Sequence, residues 1–474
     1  MTALRKFWTL LTAVLVLLGS AGATALAAPS GGKPIALTVV FNGNVNAGVL
    51  ANIQATGAQV VKMMPELGAA TVKAPASAIP SLQQVGGVQA VAPQLIWKLK
   101  ASPAVPLAEP SALAGPGDIY NVYQWDIKMV TQNGASWTLN TGSHQTVVGI
   151  IDTGVDPNHR DLRANFLGGQ NFVPAGAYGD PTETGDPNDI YDRHGHGTHV
   201  AGSIAGNGRI YGVGPDLGFR AYRVFGAEGG ASTEWIAAAV VAATNDGVDV
   251  ISMSLGGYDV NGQVLWTDPD TGVTYHLGND HADMILWKRA LTYAQQRGVV
   301  VVAAAGNEAL NAADPKAGIQ MLNEEYGIYG YTFLGAVVEA PGGISGVIAV
   351  SALGPDKSLA SYSNWGQGFV TLAAPGGDFQ RYPEPDWFLD MCLSSYPGGA
   401  YAFMAGTSMA TPKVAAVAAL YIDQYKKTHG GQKPGPQQVL QGLKNGTEIL
   451  GKNGGRDPFF GYGLVNAYKT LGGR

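Results

Sequence analysis

Gly406-Thr407-Ser408-Met409-Ala410-Thr411-Pro412 opens a long run of small and apolar residues that reads as a buried helix over 408–425. A serine at such a helix start lies beside free backbone N–H groups, the donors that favour a developing negative charge. Ser408 is therefore a candidate nucleophile. Two further segments carry groups that such a hydroxyl needs. Val148-Gly149-Ile150-Ile151-Asp152-Thr153-Gly154 is an apolar strand ending on a carboxylate. His194-Gly195-His196-Gly197-Thr198-His199-Val200-Ala201-Gly202 places imidazoles at the start of a second small-residue helix.

Other readings compete for each segment. A carboxylate at a strand end can cap a turn. Asp-Thr-Gly also occurs in aspartic proteases, and a second copy stands at Asp270-Thr271-Gly272, but it follows the polar turn Trp266-Thr267-Asp268-Pro269, which would not hold it rigidly against the first. The spacing of His194, His196 and His199 suits zinc, yet it leaves Ser408 unexplained and lacks an acidic residue beside the last histidine. A serine mechanism uses all three segments and needs no metal for its chemistry.

In type and in chain order, Asp152, His196 and Ser408 resemble the subtilisin-like serine proteases, in register from about Tyr120 to the C-terminus. The resemblance implies a serine endopeptidase working through an acyl-enzyme. Ser408 would attack, His196 would move the proton and Asp152 would hold the imidazole. Asn307, after the apolar strand end Ala303-Ala304-Ala305-Gly306, would donate to the oxyanion. His199 would be a structural neighbour on the helix and His194 a solvated or substrate-side residue. Gly229-Gly230-Ala231 and Ser254-Leu255-Gly256 match segments that sandwich an extended substrate by strand pairing, which implies broad polypeptide substrates. Lys413 and Ala416 depart from the usual histidine and glycine after the serine motif, a matter for local packing.

Structural calcium is the cofactor that the resemblance implies. Asp161 matches a family ligand, but 207–211 is shorter than the usual ligand loop. Asp180, Glu183, Asp186, Asp189 and Asp192 crowd the loop before His196, which reads either as a calcium site with Asp186 and Asp189 among its ligands or as a solvated acidic loop.

The fold class expected is α/β: a parallel sheet with helices on both faces, preceded by a small α+β ferredoxin-like domain. Strands are predicted over 146–152, 219–223, 248–253, 299–304 and 347–352, and helices over 196–206, 232–246, 281–297 and 408–425. Residues 258–280, 309–343 and 378–401 are insertions relative to compact family members. Their aromatic residues, including Tyr326, Tyr329, Tyr331, Phe333, Trp387 and Phe388, are expected to pack on one another.

The N-terminal part carries separate signals. Arg5 and Lys6, an apolar stretch over 7–18 and Ala25-Leu26-Ala27 form the anatomy of a secretory signal over 1–27, too short to span a bilayer. A secreted, extracellular protein without a lasting membrane anchor is expected. Residues 34–100 read as βαββαβ, with strands 34–41, 59–63, 69–74 and 88–92 and helices 45–55 and 76–84. This pattern resembles the family's inhibitory propeptide, which implies a latent, autoprocessed zymogen. Leu95-Ile96-Trp97-Lys98-Leu99-Lys100 would fill the cleft as a substrate does, with the cut near Lys100 or as far as Asp118. Residues 101–118, rich in Ala and Pro, read as an accessible linker before a catalytic domain over 119–474.

Composition agrees with this picture. Only 14% of residues are charged, which suits a large buried core, and the net charge of −6 without a basic run excludes nucleic acid as the expected partner. Cys392 is the sole cysteine, so no intrachain disulfide can form.

Overall fold

The computed structural model describes residues 34–43, 45–108, 115–278, 281–451 and 456–474. The expected signal segment 1–27 and linker positions 109–114 lie outside these residues.

In the N-terminal unit, strands Gln59–Met64, Ala69–Ala74, Ile35–Phe41 and Val88–Pro93 form a sheet in that spatial order, each neighbouring pair antiparallel. Helix Ala47–Ala55 is capped by Asn46, whose side chain accepts from Val49 N. The second helix is shorter than its predicted span, because a 3₁₀ turn, Ala76–Ala78, precedes Ile79–Gln83. This unit is fastened to helix Ala282–Gln296 by Arg289, whose guanidinium donates to Leu67 O at 2.8 Å, Gly68 O at 3.0 Å and Phe41 O at 2.9 Å.

The larger unit is built on seven parallel strands, in the order Leu372–Pro375, Ile348–Leu353, Val300–Ala304, Val250–Met253, Val147–Asp152, Gly218–Arg223 and Phe166–Asn171. Side chains alternate across a strand, so neighbouring residues feed two different cores. Ile151, Ile251 and Val301 pack with helices Thr233–Asn245 and Ala282–Gln296, while Ile150, Val250 and Val302 pack with His196–Ala205 and Thr407–Thr428. The central strands are largely apolar because both faces are covered.

The two outer strands, Phe166–Asn171 and Leu372–Pro375, were not expected. The first contains Gly168-Gly169 and is mostly half-buried; a Cβ on Gly169 would collide with Ala221 O, so the neighbouring strand requires a residue that weakens any strand pattern. The second is only four residues and ends on Pro375.

The first two insertions combine. Strand Gly257–Thr267 pairs antiparallel with Thr274–Gly278 and Tyr331–Ala340, and helix Pro315–Tyr326 packs on the latter. Aromatic packing is the core of this module: Tyr331 stacks on Phe333 at 5.7 Å between centroids and Tyr326 meets Phe333 edge-on at 6.1 Å. In the third insertion Trp387 packs on Phe379, and Phe388 on Phe403.

Candidate active site

Strand Val147–Asp152 delivers Asp152 at its end, and helix His196–Ala205 begins on His196. His196 Nδ1 lies 2.8 Å from Asp152 Oδ1, which also accepts from Thr153 N at 2.7 Å, and both side chains are buried. Because the carboxylate only accepts, Nδ1 is the donor of this bond and Nε2 is the ring nitrogen left facing away from Asp152. One further carboxylate holds both segments. Asp192 accepts from Thr153 Oγ1, His194 N, Gly195 N, Thr198 N and Thr198 Oγ1 over 2.7–3.0 Å. Asp192, one of the acids that crowd the loop before His196, positions the Asp152 strand end and the His196 helix start.

Ser408 is the second residue of helix Thr407–Thr428. Its hydroxyl donates to Ser254 O at 3.1 Å, and the Ser254 hydroxyl donates to Ser408 O at 2.8 Å. His196 Nε2 is buried without a hydrogen-bond partner among the described residues. The Ser408 hydroxyl is thus turned toward Ser254 O rather than His196 Nε2.

Asn307 follows strand Val300–Ala304. Its Oδ1 accepts from Thr407 N at 2.9 Å and Thr407 Oγ1 at 2.8 Å, which turns the amide nitrogen outward to donate to Lys100 O at 3.1 Å. That carbonyl belongs to the chain's own N-terminal unit. Ile96–Lys98 pairs antiparallel with Gly230–Ser232, matching Lys98 to Gly230, Trp97 to Ala231 and Ile96 to Ser232, and Leu99 N donates to Gly229 O at 2.8 Å. Trp97 donates its indole N–H to Thr233 Oγ1 at 2.6 Å and meets Trp287 edge-on at 6.4 Å. A Cβ on Gly257 would collide with the Trp97 ring, so that glycine is required by the approach. Leu255 and Gly256 border the same peptide, but the ladder is made with Gly230–Ser232, and Ser254 spends its carbonyl on Ser408.

The chain continues in the cleft beyond Lys100. Ser102 Oγ accepts from Ala405 N at 2.9 Å, and Val105–Pro106 pairs antiparallel with Ala402 and Phe403. This part of the expected linker is therefore ordered by strand pairing.

The Subtilase family profile matches residues 143–463. The chain belongs to the subtilase family. It is 38% identical over 316 residues to the nisin leader peptide-processing serine protease of Lactococcus lactis subsp. lactis, a match spanning 64% of this chain and 44% of that protein. It is 30% identical over 371 residues to the epidermin leader peptide-processing serine protease of Staphylococcus epidermidis, covering 75% of each. Among solved structures, the epidermin leader peptide processing serine protease of Staphylococcus aureus superposes with a TM-score of 0.75 at 30% identity, over 93% of this chain and 98% of that one. This subtilase is a serine protease, and it spans less than half the length of the nisin enzyme.

His194, His196 and His199 have separate surroundings. His199 Nε2 lies 3.0 Å from Cys392 O and 3.1 Å from Ala402 O, and burial, then the nearby Lys413, push its pKa down to about 3. Its neutral ring ties the helix to two strands. His194 is half-buried beside Gly229, and burial lowers its pKa.

The carboxylates expected to hold calcium are bound by protein donors instead. Asp161 Oδ2 accepts from Ile210 N at 3.2 Å and Tyr401 Oη at 2.8 Å, Asp186 Oδ1 accepts from Asn188 N at 2.9 Å, and Asp189 pairs with Arg193 at 2.7 Å. Glu183 pairs with the buried Arg223. Among the described residues no group of three or more His, Cys, Asp or Glu side chains is placed to hold a metal ion.

Several residues in the cleft of this subtilase were not anticipated. Thr407 orients Asn307, Thr233 and Trp287 receive Trp97, and Glu308, Glu325 and Tyr326 touch the bound segment. Only Glu308 had a local signal, its place directly after Asn307. Lys413, noted as a departure, is fully buried with Nζ 2.8 Å from Asp126 Oδ2, 2.9 Å from Met409 O and 3.6 Å from Cys392 Sγ.

Proposed function

We propose that this subtilase is exported as a latent zymogen, cuts its own chain between Lys100 and Ala101, and thereafter hydrolyses polypeptide segments that thread the cleft in extended form. The observation that carries this reading is the Asn307 amide 3.1 Å from Lys100 O, with the three residues from Ile96 held in a ladder beside it. This supports the reading, because a carbonyl whose oxygen meets the Asn307 amide is one at which an oxyanion could be held.

In the reaction, the Ser408 hydroxyl leaves Ser254 O for His196 Nε2 and attacks the Lys100 carbonyl as His196 takes the proton. Asp152 stabilises the imidazolium, and Asn307 with the first N–H groups of the Ser408 helix holds the oxyanion. His196 returns the proton to the Ala101 amine, and water then releases the acyl group from Ser408. Until it diffuses away, the 34–100 unit blocks the cleft as a substrate-like strand. Export is inferred from the signal-like segment at 1–27. The relatives' named action, processing of a leader peptide, supplies the substrate class proposed for the mature enzyme: a precursor cut at one exposed segment.

Intact-mass analysis of the wild-type and Ser408→Ala proteins tests the reading. The wild type should give a piece ending at Lys100 and a mature chain beginning at Ala101, whereas Ser408→Ala should stay joined and lose about a millionfold in turnover. Cutting of Ser408→Ala at the same bond, in a host lacking other proteases, would refute self-processing.

A further inference from the structure

The residue whose carbonyl meets Asn307 is a lysine, and its side chain does not run into solvent. Lys100 Nζ lies 3.2 Å from Glu308 Oε1 and 3.1 Å from Glu325 Oε2. The two carboxylates come from different places. Glu308 directly follows Asn307 and is fixed by Asn364, whose amide donates to its Oε2 at 2.6 Å. Glu325 stands at the end of the inserted helix Pro315–Tyr326, and the next residue, Tyr326, donates its hydroxyl to Ile96 O at 3.2 Å. The inserted helix therefore touches both the main chain and the side chain of the cleft-bound segment.

We propose that Glu325, on the inserted helix, acts with Glu308 as the specificity-determining pair of this protease, selecting polypeptides with a basic side chain immediately before the bond to be cut. The proposal rests on the protease reading above and supplies its substrate class. Three facts support the charge argument. The Lys100 side chain is 32% exposed, against 14% for Glu308 and 30% for Glu325, so the pairs are shielded from bulk water without being sealed from it. Burial works against the Lys100 ammonium, yet the two glutamates outweigh it and its pKa is raised. The third nearby carboxyl, Glu339, sits behind Gly256, where a Cβ would strike its Oε1. Burial, then the adjacent Glu308, push its pKa well above the ordinary carboxyl range, and the two carboxylates that reach the Lys100 ammonium are those of Glu308 and Glu325. An apolar residue in place of Lys100 would leave these two carboxylates partly desolvated and unpaired, which is a penalty against the wrong substrate as well as a reward for the right one.

The test uses peptides that differ only in the residue before the cut: lysine, its uncharged relative norleucine, arginine, and glutamate. The mature enzyme should cut the lysine and arginine peptides with kcat/KM at least roughly tenfold above norleucine, mainly through KM, and should reject glutamate. Glu325→Gln should lower kcat/KM for the lysine peptide about tenfold more than for norleucine, a selective loss that mere damage to folding would not produce. In the full chain, Lys100→Met should slow self-cleavage and Lys100→Arg should preserve it. Equal cutting of lysine and norleucine peptides, or equal losses for both on Glu325→Gln, would overturn the proposal while leaving the protease reading intact. Failure to cut any of the four would instead count against the protease reading itself.

Discussion

Lys413→Met, made in the Ser408→Ala background to suppress self-digestion, removes one half of a buried ion pair and tests how the nucleophile's helix is anchored. Lys413 and Asp126 are both fully buried, with Nζ 2.8 Å from Oδ2. Burial opposes the lysine's charge, but Asp126 and Cys392 more than offset it, so the ammonium is held above its ordinary range. With the ammonium gone, the Asp126 carboxylate keeps its desolvation and loses its partner, and breaking such a pair costs about 3–5 kcal/mol. Asp126→Leu should cost about as much for the mirror-image reason. The double variant leaves no buried charge and restores apolar volume, so it should lie within about 1 kcal/mol of the parent, giving a coupling energy of roughly 5 kcal/mol or more. Urea unfolding of the four proteins, compared at equal slope, measures these terms. Strictly additive losses, or single variants that cost under about 1 kcal/mol, would show that the pair does not anchor helix Thr407–Thr428 through Asp126.

Three other outcomes follow from particular contacts. Asn307→Ala should lower kcat by roughly 10²–10³, about 3 kcal/mol, with little change in KM, because the donor matters most when the oxyanion forms; a loss confined to KM would remove Asn307 from that role. Burial pushes Glu234 up to about 7, against smaller opposing pulls from hydrogen bonds to its own backbone N–H, Ser232 and Gln94 and from Lys62, so this carboxyl takes up a proton on folding, and its contribution to stability is full below its ordinary value of 4.5 and is lost as pH rises toward 7. In the Ser408→Ala background, Glu234→Gln should therefore gain on its parent by roughly 1.4 kcal/mol per pH decade across that window and then level off, and a constant offset at every pH would refute the buried-proton account. Since Asp161, Asp186 and Asp189 are held by protein donors, a chelator should leave the unfolding midpoint unchanged; a fall reversed by added calcium would show that the acidic loop rearranges around the ion.

The parts of this molecule that the sequence made legible are those whose physics is local. A strand covered on both faces must be a continuous apolar run, so Val147–Asp152, Val250–Met253 and Val300–Ala304 announce themselves. Their ends, and the starts of the small-residue helices, are where Asp152, His196, Asn307 and Ser408 stand. Outer strands carry weaker signals, since one face of the requirement is lifted: Phe166–Asn171 is shaped by its neighbour's backbone at Gly169, and Leu372–Pro375 is too short to show a period.

Selectivity is written differently. Asn307 and Lys100 are 207 positions apart, and Lys100 and Glu325 are 225 apart, so no window of sequence contains both partners. The same holds for Lys413, which reads as a misfit within its own helix and is explained only by Asp126, brought against it from the short helix Trp125–Thr131. The inserted aromatic residues illustrate the limit most directly. Tyr326 does pack against Phe333 as its composition suggests, but that packing fixes the end of a helix whose Tyr326 hydroxyl and Glu325 carboxylate reach the cleft. An apolar satellite core and a specificity wall are thus one object seen from two sides. A substitution that loosens Tyr326 against Phe333 perturbs Glu325 through the backbone they share, so lysine selectivity and the packing of this insertion should weaken together.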